Sequence, residues 1–285
     1  MPRDVDELLR LLDIETIDDN LFRGSQQASV LPRVFGGQVA AQALVAAART
    51  TDPAYVVHSL HSYFLQPGDT GAPIVYDVEA LRDGRSFATR RVLARQHGRP
   101  IFALTTDFQK PEEGLDHQDV FPDDVPSPED ALDPMARRAD GEFTEWDAIS
   151  MRYVGSSADL LTPDPQRPGR QRFWLKIDGE LPDDPLVHAA AFAYASDMTI
   201  AGAALAPHGY RLGGPDIMVA SLDHTVWFHE PFRADRWWLY DQHAPRASGG
   251  RGLINSRVFT EDGRLVASTA QEALLRKVRP KEERG

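Results

Sequence analysis

Apolar and polar positions follow two different rhythms along this chain. From Leu186 to Ala206, LVHAAAFAYASDMTIAGAALA, small and apolar residues run almost without interruption around a single acid, Asp197. A stretch that is apolar on every side predicts a helix covered on every side. An ionised carboxylate is costly to bury without partners, so Asp197 is either a hydrogen-bonded structural residue or one kept for chemistry. A second Ala-rich run, Gln38 to Arg49, follows the glycine pair Gly36-Gly37 and also predicts a helix. The amino-terminal MPRDVDELLRLLDIETIDD predicts a short amphipathic helix.

Between these helices the rhythm changes to strand type. Val56 to Leu65, Ile74 to Leu81, Ser86 to Arg95 and Pro100 to Gln109 predict four strands, separated by turns at Gln66-Pro67-Gly68-Asp69, Asp83-Gly84 and His97-Gly98. Residues 111–170 are rich in Pro, Asp, Glu and Gly and predict a linker, partly ordered around Phe143 and Trp146. Arg172 to Ile177 then predicts a strand, the long apolar run follows, and further strands are predicted at Ile217 to His229, Trp237 to His243, Gly252 to Thr260 and Arg264 to Leu275.

The second half repeats the first. Ser59-Leu60 and Ser221-Leu222 are 162 positions apart, Gly84-Arg85 and Gly250-Arg251 are 166 apart, as are Arg91-Val92 and Arg257-Val258, and Gly98-Arg99 and Gly263-Arg264 are 165 apart. A spacing that drifts only at turns suggests two copies of one small domain. Each copy pairs an apolar helix with an antiparallel sheet, an α+β arrangement that buries the helix by wrapping the sheet around it. The predicted units are residues 1–110, the linker 111–170, and residues 171–285.

Composition narrows the partners. A formal net charge of -12 over 285 residues argues against nucleic acid as a partner. Within it, Arg82, Arg85, Arg90, Arg91, Arg95 and Arg99 surround only Asp83, which reads equally as a solvated strand face or as an anion site for a phosphorylated small molecule. The absence of cysteine removes disulfides, thiolate nucleophiles and zinc–cysteine sites, and makes a reducing cytoplasm the simplest setting. The central apolar run is long enough for a bilayer, but its alanines, His188 and Asp197 argue against membrane insertion. The termini carry no recognisable secretory signal, and Lys281 to Gly285 match no peroxisomal or retention signal.

Six segments, FGGQVAAQAL, HSLHSYFLQPGD, YDVEALRDGRSFATRRV, YASDM, LDHTVWFHEPF and VASTAQEALLR, resemble the type II acyl-CoA thioesterases of TesB type, and they do so in order from about Phe22 to Arg276. The resemblance implies a double-hotdog fold, hydrolysis of fatty acyl-CoA to free acid and CoA without metal or organic cofactor, and assembly into homo-oligomers. It also implies that Asp197 is the catalytic acid residue, Gln271 the catalytic glutamine and Ser221 the hydroxyl residue, where the family often has Thr.

Alternation in Arg264 to Leu275 puts Gln271 on one face with Leu265, Ala267, Ala273 and Leu275, an apolar face suited to a helix. An amide there needs a partner, which Asp197 would supply; the pair could hold an attacking water or merely stitch sheet to helix. No Gly-x-Ser-x-Gly elbow is present, so an activated water is favoured over an acyl-enzyme. Gly36 and Gly37 are candidate donors to the developing oxyanion, with Gly37→Val expected to cost turnover more than stability. His58 is a candidate for the acyl pocket, His224 and Thr225 for support of Ser221, and Arg85 and Arg91 for CoA phosphates. Asp223 reads either as a strand-end partner or as a catalyst. A hotdog hydratase built on His224 and a non-catalytic acyl-CoA binding protein are the competing readings.

Overall fold

The computed structural model describes residues 1–27, 29, 31–133, 146–155 and 166–278. Helix α1, Val5–Leu12, is followed by the short strands β1, Glu15–Asp18, and β2, Leu21–Gly24. The predicted amino-terminal helix is therefore shorter than its sequence pattern, because the β-branched ETID segment after Asp13 pairs as a hairpin with β2. Helix α2, Gly36–Arg49, and strands β3, Val56–Phe64, β4, Ile74–Asp83, β5, Phe87–Gln96, and β6, Arg99–Gln109, complete the first half. The second half contains β7, Ile149–Val154, β8, Arg170–Ile177, helices α3, Pro185–Ser196, and α4, Gly202–Leu205, and strands β9, Ile217–Ser221, β10, Asp223–Phe228, β11, Trp238–Ser248, β12, Arg251–Thr260, and β13, Leu265–Lys277.

All strands of the described residues join one antiparallel sheet in the order β1-β2-β4-β5-β6-β3-β10-β13-β12-β11-β8-β7, with β9 continuing the β10 edge of β13. The order reads the same way outward from its centre. β3 meets β10 with Leu60 opposite Val226 and His61 opposite Thr225, and β4-β5-β6 lie beyond β3 as β11-β12-β13 lie beyond β10. Helices α2 and α3 pack against each other, and the main core lies between them and the sheet, around Tyr76, Phe102, Phe108, Phe192, Trp238 and Tyr240. Small side chains let the two backbones approach closely: a Cβ on Gly37 would fall inside contact distance of the Tyr194 carbonyl oxygen.

The stretch read as one long helix is broken. α3 ends at Ser196, turns occupy 197–201, and a short helix resumes at Gly202. Composition allowed continuation, but side chains of the sheet capture the carbonyls that a longer helix would use: Tyr240 Oη donates to Ser196 O at 3.0 Å and Gln171 Nε2 to Thr199 O at 2.6 Å. The segment read as a linker is likewise more than connection. β7 pairs with β8, Trp146 packs edge-on against Phe35 at 4.9 Å, and residues around Phe121 cover the outer face of β8, β11 and β12. Phe143 and Lys281 to Gly285 lie outside the described residues. No helix among the described residues is long and apolar enough to cross a membrane.

Candidate active site

The break in α3 leaves Asp197 at the helix end, where its carboxylate faces the start of α2. Ideal placement of a Cβ on Gly36 would bring it 2.5 Å from Asp197 Oδ2, and the Gly37 N–H donates to the same carboxylate. Two helix termini of opposite polarity therefore meet at one acid. The glycines begin α2 rather than precede it, and the absence of a side chain at Gly36 lets the Asp197 carboxylate and the Phe64 ring close onto its backbone. Gly37→Val cannot report on turnover alone, since the new side chain would push α2 away from α3.

The sheet supplies the rest of the site. Burial along β13 alternates so that Ala267, Thr269, Gln271 and Ala273 point inward, which carries Gln271 to the end of α3. Ser221, the last residue of β9, donates to Asp197 Oδ1 at 2.8 Å, and Gln271 Nε2 donates to Ser221 Oγ at 2.9 Å. Gln271 also hydrogen-bonds the Asp197 carboxylate. The structure thus brings together Asp197, Ser221 and Gln271, which the sequence placed on separate elements.

His224 extends this array inward. Its Nδ1 lies 2.6 Å from Gln271 Oε1 and its Nε2 lies 2.8 Å from Ser196 Oγ. Because Gln271 spends its amide N–H on Ser221, its carbonyl oxygen can only accept, so Nδ1 of His224 carries the proton and Nε2 accepts from Ser196. A directed chain results: Ser196 donates to His224, His224 to Gln271, Gln271 to Ser221, and Ser221 to Asp197. Every donor in the chain points toward the carboxylate.

Electrostatics agrees with that assignment. Burial pushes the His224 imidazolium pKa below its ordinary value, so the ring stays neutral as the chain requires. Burial also raises the Asp197 pKa above the ordinary 3.8, with His224 and the hydrogen bonds from Ser221, Gln271 and Gly37 pulling it back only in part. As a residue Asp197 is half-buried, while its carboxylate is enclosed by these partners. A carboxylate with raised basicity and a fixed rotamer is suited to take a proton from a water brought beside it.

The remaining sequence candidates fall elsewhere. Thr225 is in the β10 ladder opposite His61 and Ala270. Asp223 accepts the Glu272 N–H at 2.6 Å, the strand-end role. His58 hydrogen-bonds Asp107 at 3.2 Å, and lines a cavity of about 560 Å³ at the opposite end of the helix pair, beside the end of α2 and the start of α3. Arg85 is exposed in the β4–β5 turn, and Arg91 pairs with Glu79 at 2.5 Å on an exposed face. The six clustered arginines do not share one face: Arg90 is buried and donates to Thr50 O, Thr50 Oγ1 and Arg82 O at the end of α2. Ser196 escaped sequence reasoning; its only signal was adjacency to Asp197 in YASDM. His224 has both ring nitrogens engaged inside the protein, which leaves neither free for a hydratase pair. Among the described residues no group of three or more His, Cys, Asp or Glu could hold a metal ion.

Comparison with known proteins adds independent observations. Residues 164–274 match the family described as acyl-CoA thioesterase, and residues 26–109 match the family described as acyl-CoA thioesterase N-terminal domain. The chain is 39% identical to acyl-CoA thioesterase 2 of Haemophilus influenzae over 280 residues, covering 95% of this chain and 98% of that protein. It is 36% identical to acyl-coenzyme A thioesterase 8 of Homo sapiens over 282 residues, covering 93% and 88%. Among solved structures, the acyl-CoA thioesterase II TesB2 from Mycobacterium marinum superposes with a TM-score of 0.81 at 44% identity, over 96% of this chain and 98% of that one. A protein with hot dog fold from Alicyclobacillus acidocaldarius superposes with a TM-score of 0.76 at 23% identity over 95% and 97%, a likeness of fold alone.

Proposed function

The chain belongs to the acyl-CoA thioesterase family, and from that premise we propose that it hydrolyses fatty acyl-CoA to fatty acid and CoA with a water activated by Asp197. Thioester hydrolysis itself follows from the family. The assignment to Asp197 is carried by one observation: the carboxylate is the end point of a chain of donors from Ser196, His224, Gln271 and Ser221.

In this reading, water hydrogen-bonded to Asp197 attacks the thioester carbonyl carbon while its proton passes to the carboxylate. Gln271 and Ser221 hold the carboxylate oxygens so that the base does not rotate away from the attack direction. The carbonyl oxygen is held near the first-turn amides of α2, where developing negative charge is favoured. Collapse of the tetrahedral adduct expels the CoA thiolate, which leaves as the thiol after taking up the proton. Gln271 and Ser221 position the base; Asp197 alone exchanges a proton.

The palindromic strand order favours reading the hotdog fold as double, with residues 1–110 and 171–285 as its units and 111–170 between them. Only the second unit ends its helix with an acid, so one centre operates per chain. The CoA moiety, Arg85 and Arg91 as its phosphate contacts, a homo-oligomeric assembly and a cytoplasmic setting stay within this proposal.

The test is release of free thiol from a medium-chain and a long-chain acyl-CoA by the wild type and by Asp197→Asn. The protein has no cysteine to contribute background. Loss of a general base is expected to lower turnover by about 10²–10⁴-fold. Wild-type turnover in Asp197→Asn would remove Asp197 from the mechanism, and binding without turnover in the wild type would favour a non-catalytic acyl-CoA binding role.

A further inference from the structure

The cavity of about 560 Å³ lies not at Asp197 but at the other end of the paired helices. Its walls include Ala48 and Arg49 at the end of α2, Pro185 and Leu186 at the start of α3, and His58 and Phe108 from β3 and β6. The candidate active site is made from the corresponding parts of the other half: the end of α3, the start of α2, and residues of β10 and β13.

Strand register makes the correspondence specific. Leu60 faces Thr106 across β3–β6, as Val226 faces Thr269 across β10–β13, and all four are buried. These offsets of 166 along β3 and 163 along β6 place His58 at the position of His224 and Phe108 at that of Gln271, and make Thr225-Val226 rather than Ser221-Leu222 the counterpart of Ser59-Leu60. The ladder is irregular at both places. His58 is the extra residue between the pairs Val57–Phe108 and Ser59–Asp107, while residues 222–224 stand opposite only 271 and 272.

The groups that serve the Asp197 centre are replaced one by one. Phe108 stands where the amide of Gln271 stands, so nothing there can hold a hydroxyl and carboxylate in line. The C-terminal end of α2 carries no acid, and its Arg49 is engaged with Asp13 at 2.7 Å. What survives is the recess, lined largely by apolar side chains including Ala189, Phe228 and Phe232. At its edge, exposed Lys110 lies over the Tyr55 ring at 4.8 Å and forms no ion pair among the described residues.

We propose that this cavity is a second, non-hydrolytic acyl site, which binds an unbranched fatty acid with its chain in the recess and its carboxylate at Lys110. The volume falls within the range of small-molecule sites, about 300–1,000 Å³. The walls are mainly apolar; Asp52, Glu112, Asp184 and Glu230 among them are engaged with Ala54 N, Gln109, Leu186 N and Arg264, and Arg49 with Asp13, so Lys110 is the cation left at the rim for the anionic end of an aliphatic chain. The inference rests on reading the Asp197 centre as an acyl-thioester site, because the internal symmetry then carries acyl recognition, without water activation, to the opposite end. A fatty acid is both the product of the reaction and a ligand of this cavity, so the site would let product report on turnover.

The test is to crystallise the full-length protein with 12-bromododecanoate and to locate bromine by anomalous scattering, alongside calorimetric titration of sodium dodecanoate into the wild type and Lys110→Gln. The expected result is bromine between Phe108, Ala189 and Phe228, with binding about tenfold weaker in Lys110→Gln, the loss of one exposed charge-assisted contact worth about 1.4 kcal/mol. Bromine found only beside Asp197, or nowhere in the protein, overturns the proposal. Bromine in the cavity with unchanged affinity in Lys110→Gln overturns the carboxylate assignment. Titration with dodecanoyl-CoA of an Asp197→Asn protein separates the two sources of acyl chain: occupation of the cavity by the CoA ester in place of the acid would refute a product site. None of these outcomes depends on thiol release, so a failure of the hydrolytic reading is separately visible.

Discussion

The two helices of this protein end in opposite chemistry. The end of α2 is closed by a buried cation, Arg90, whose guanidinium donates to Thr50 O at 2.9 Å, Thr50 Oγ1 at 3.0 Å and Arg82 O at 3.0 Å and pairs with Asp83 at 2.6 Å. The end of α3 presents a carboxylate, Asp197, whose pKa burial has raised. A cation at a helix C-terminus is favourable and an acid there is not. One half has settled the helix end for stability; the other keeps an unfavourable group and surrounds it with donors. The division is workable because the shared sheet is held together by both halves while the acid sits at the end of α3 alone.

The same contrast appears on the outer face of the sheet, where it has the largest expected effect on stability. Glu79 faces Arg91 across β4–β5, and Asp241 faces Arg257 across β11–β12, at the same place in each half. The first pair is more than half exposed. Asp241 is buried and receives Arg170, Arg172 and Arg257, under the segment that carries Asp119, Phe121 and Asp124. Burial alone would raise the Asp241 pKa, but the three guanidiniums hold it down at about 2. Asp241→Asn removes the charge shared by three guanidiniums, of which Arg172 and Arg257 keep Asp124 and Asp119, and should cost about 3 kcal/mol. Glu79→Gln should cost at most about 1 kcal/mol. Urea unfolding at pH 7 separates the two, and equal losses would break the comparison. Because the Asp241 pKa is depressed, its contribution is complete above the ordinary carboxylate value and is lost as pH falls toward about 2.

Next is the pair of helix ends themselves. Arg90→Met would strip donors from the carbonyls of Thr50 and Arg82 and should destabilise by about 3 kcal/mol. Asp197→Asn should do the reverse. A folded pKa above the unfolded one means that the ionised side chain subtracts from stability once pH exceeds both values. At pH 7 the Asn protein should therefore melt at or above the wild-type temperature while thiol release is lost. A thermal melt of both variants beside their activities decides this, and a destabilised Asp197→Asn would show that the acid is a structural cap after all.

Much of this was legible before any coordinates. Two Ala-rich segments and strand alternation predict helices packed on an antiparallel sheet, which is what forms, and alternation alone placed Gln271 on the inward face. Three features were hidden for physical reasons. The break after Ser196 depends on Tyr240 and Gln171, donors from strands distant in sequence, so local composition still favours helix. β7 lies in a Pro- and acid-rich region and gains its place by pairing with β8, a tertiary effect that local pattern does not contain. The arginine run looked like one basic patch because sequence counts charges without faces, whereas strand alternation buries Arg90 and exposes Arg91.

The smallest predicted effect tests whether the donor chain tunes the Asp197 end alone. Ser221 donates to Asp197 Oδ1 and receives Gln271 Nε2, so Ser221→Ala removes one stabilising bond from the ionised carboxylate and one acceptor from the amide. The hydrogen bond from Ser221 lowers the Asp197 pKa, and its loss must raise a value that burial has already raised. The acid limb of kcat/KM should then move to higher pH, with about a tenfold loss at neutral pH because the base is less firmly oriented. Ser221→Thr keeps the hydroxyl and should restore the wild-type limb. The α2 end has no acid to titrate in this role, so the wild-type profile should fall through one carboxylate step on its acid side. A limb that stays in place in Ser221→Ala would show that Ser221 does not act on Asp197, and would leave its hydrogen bond as a contact between strand and helix.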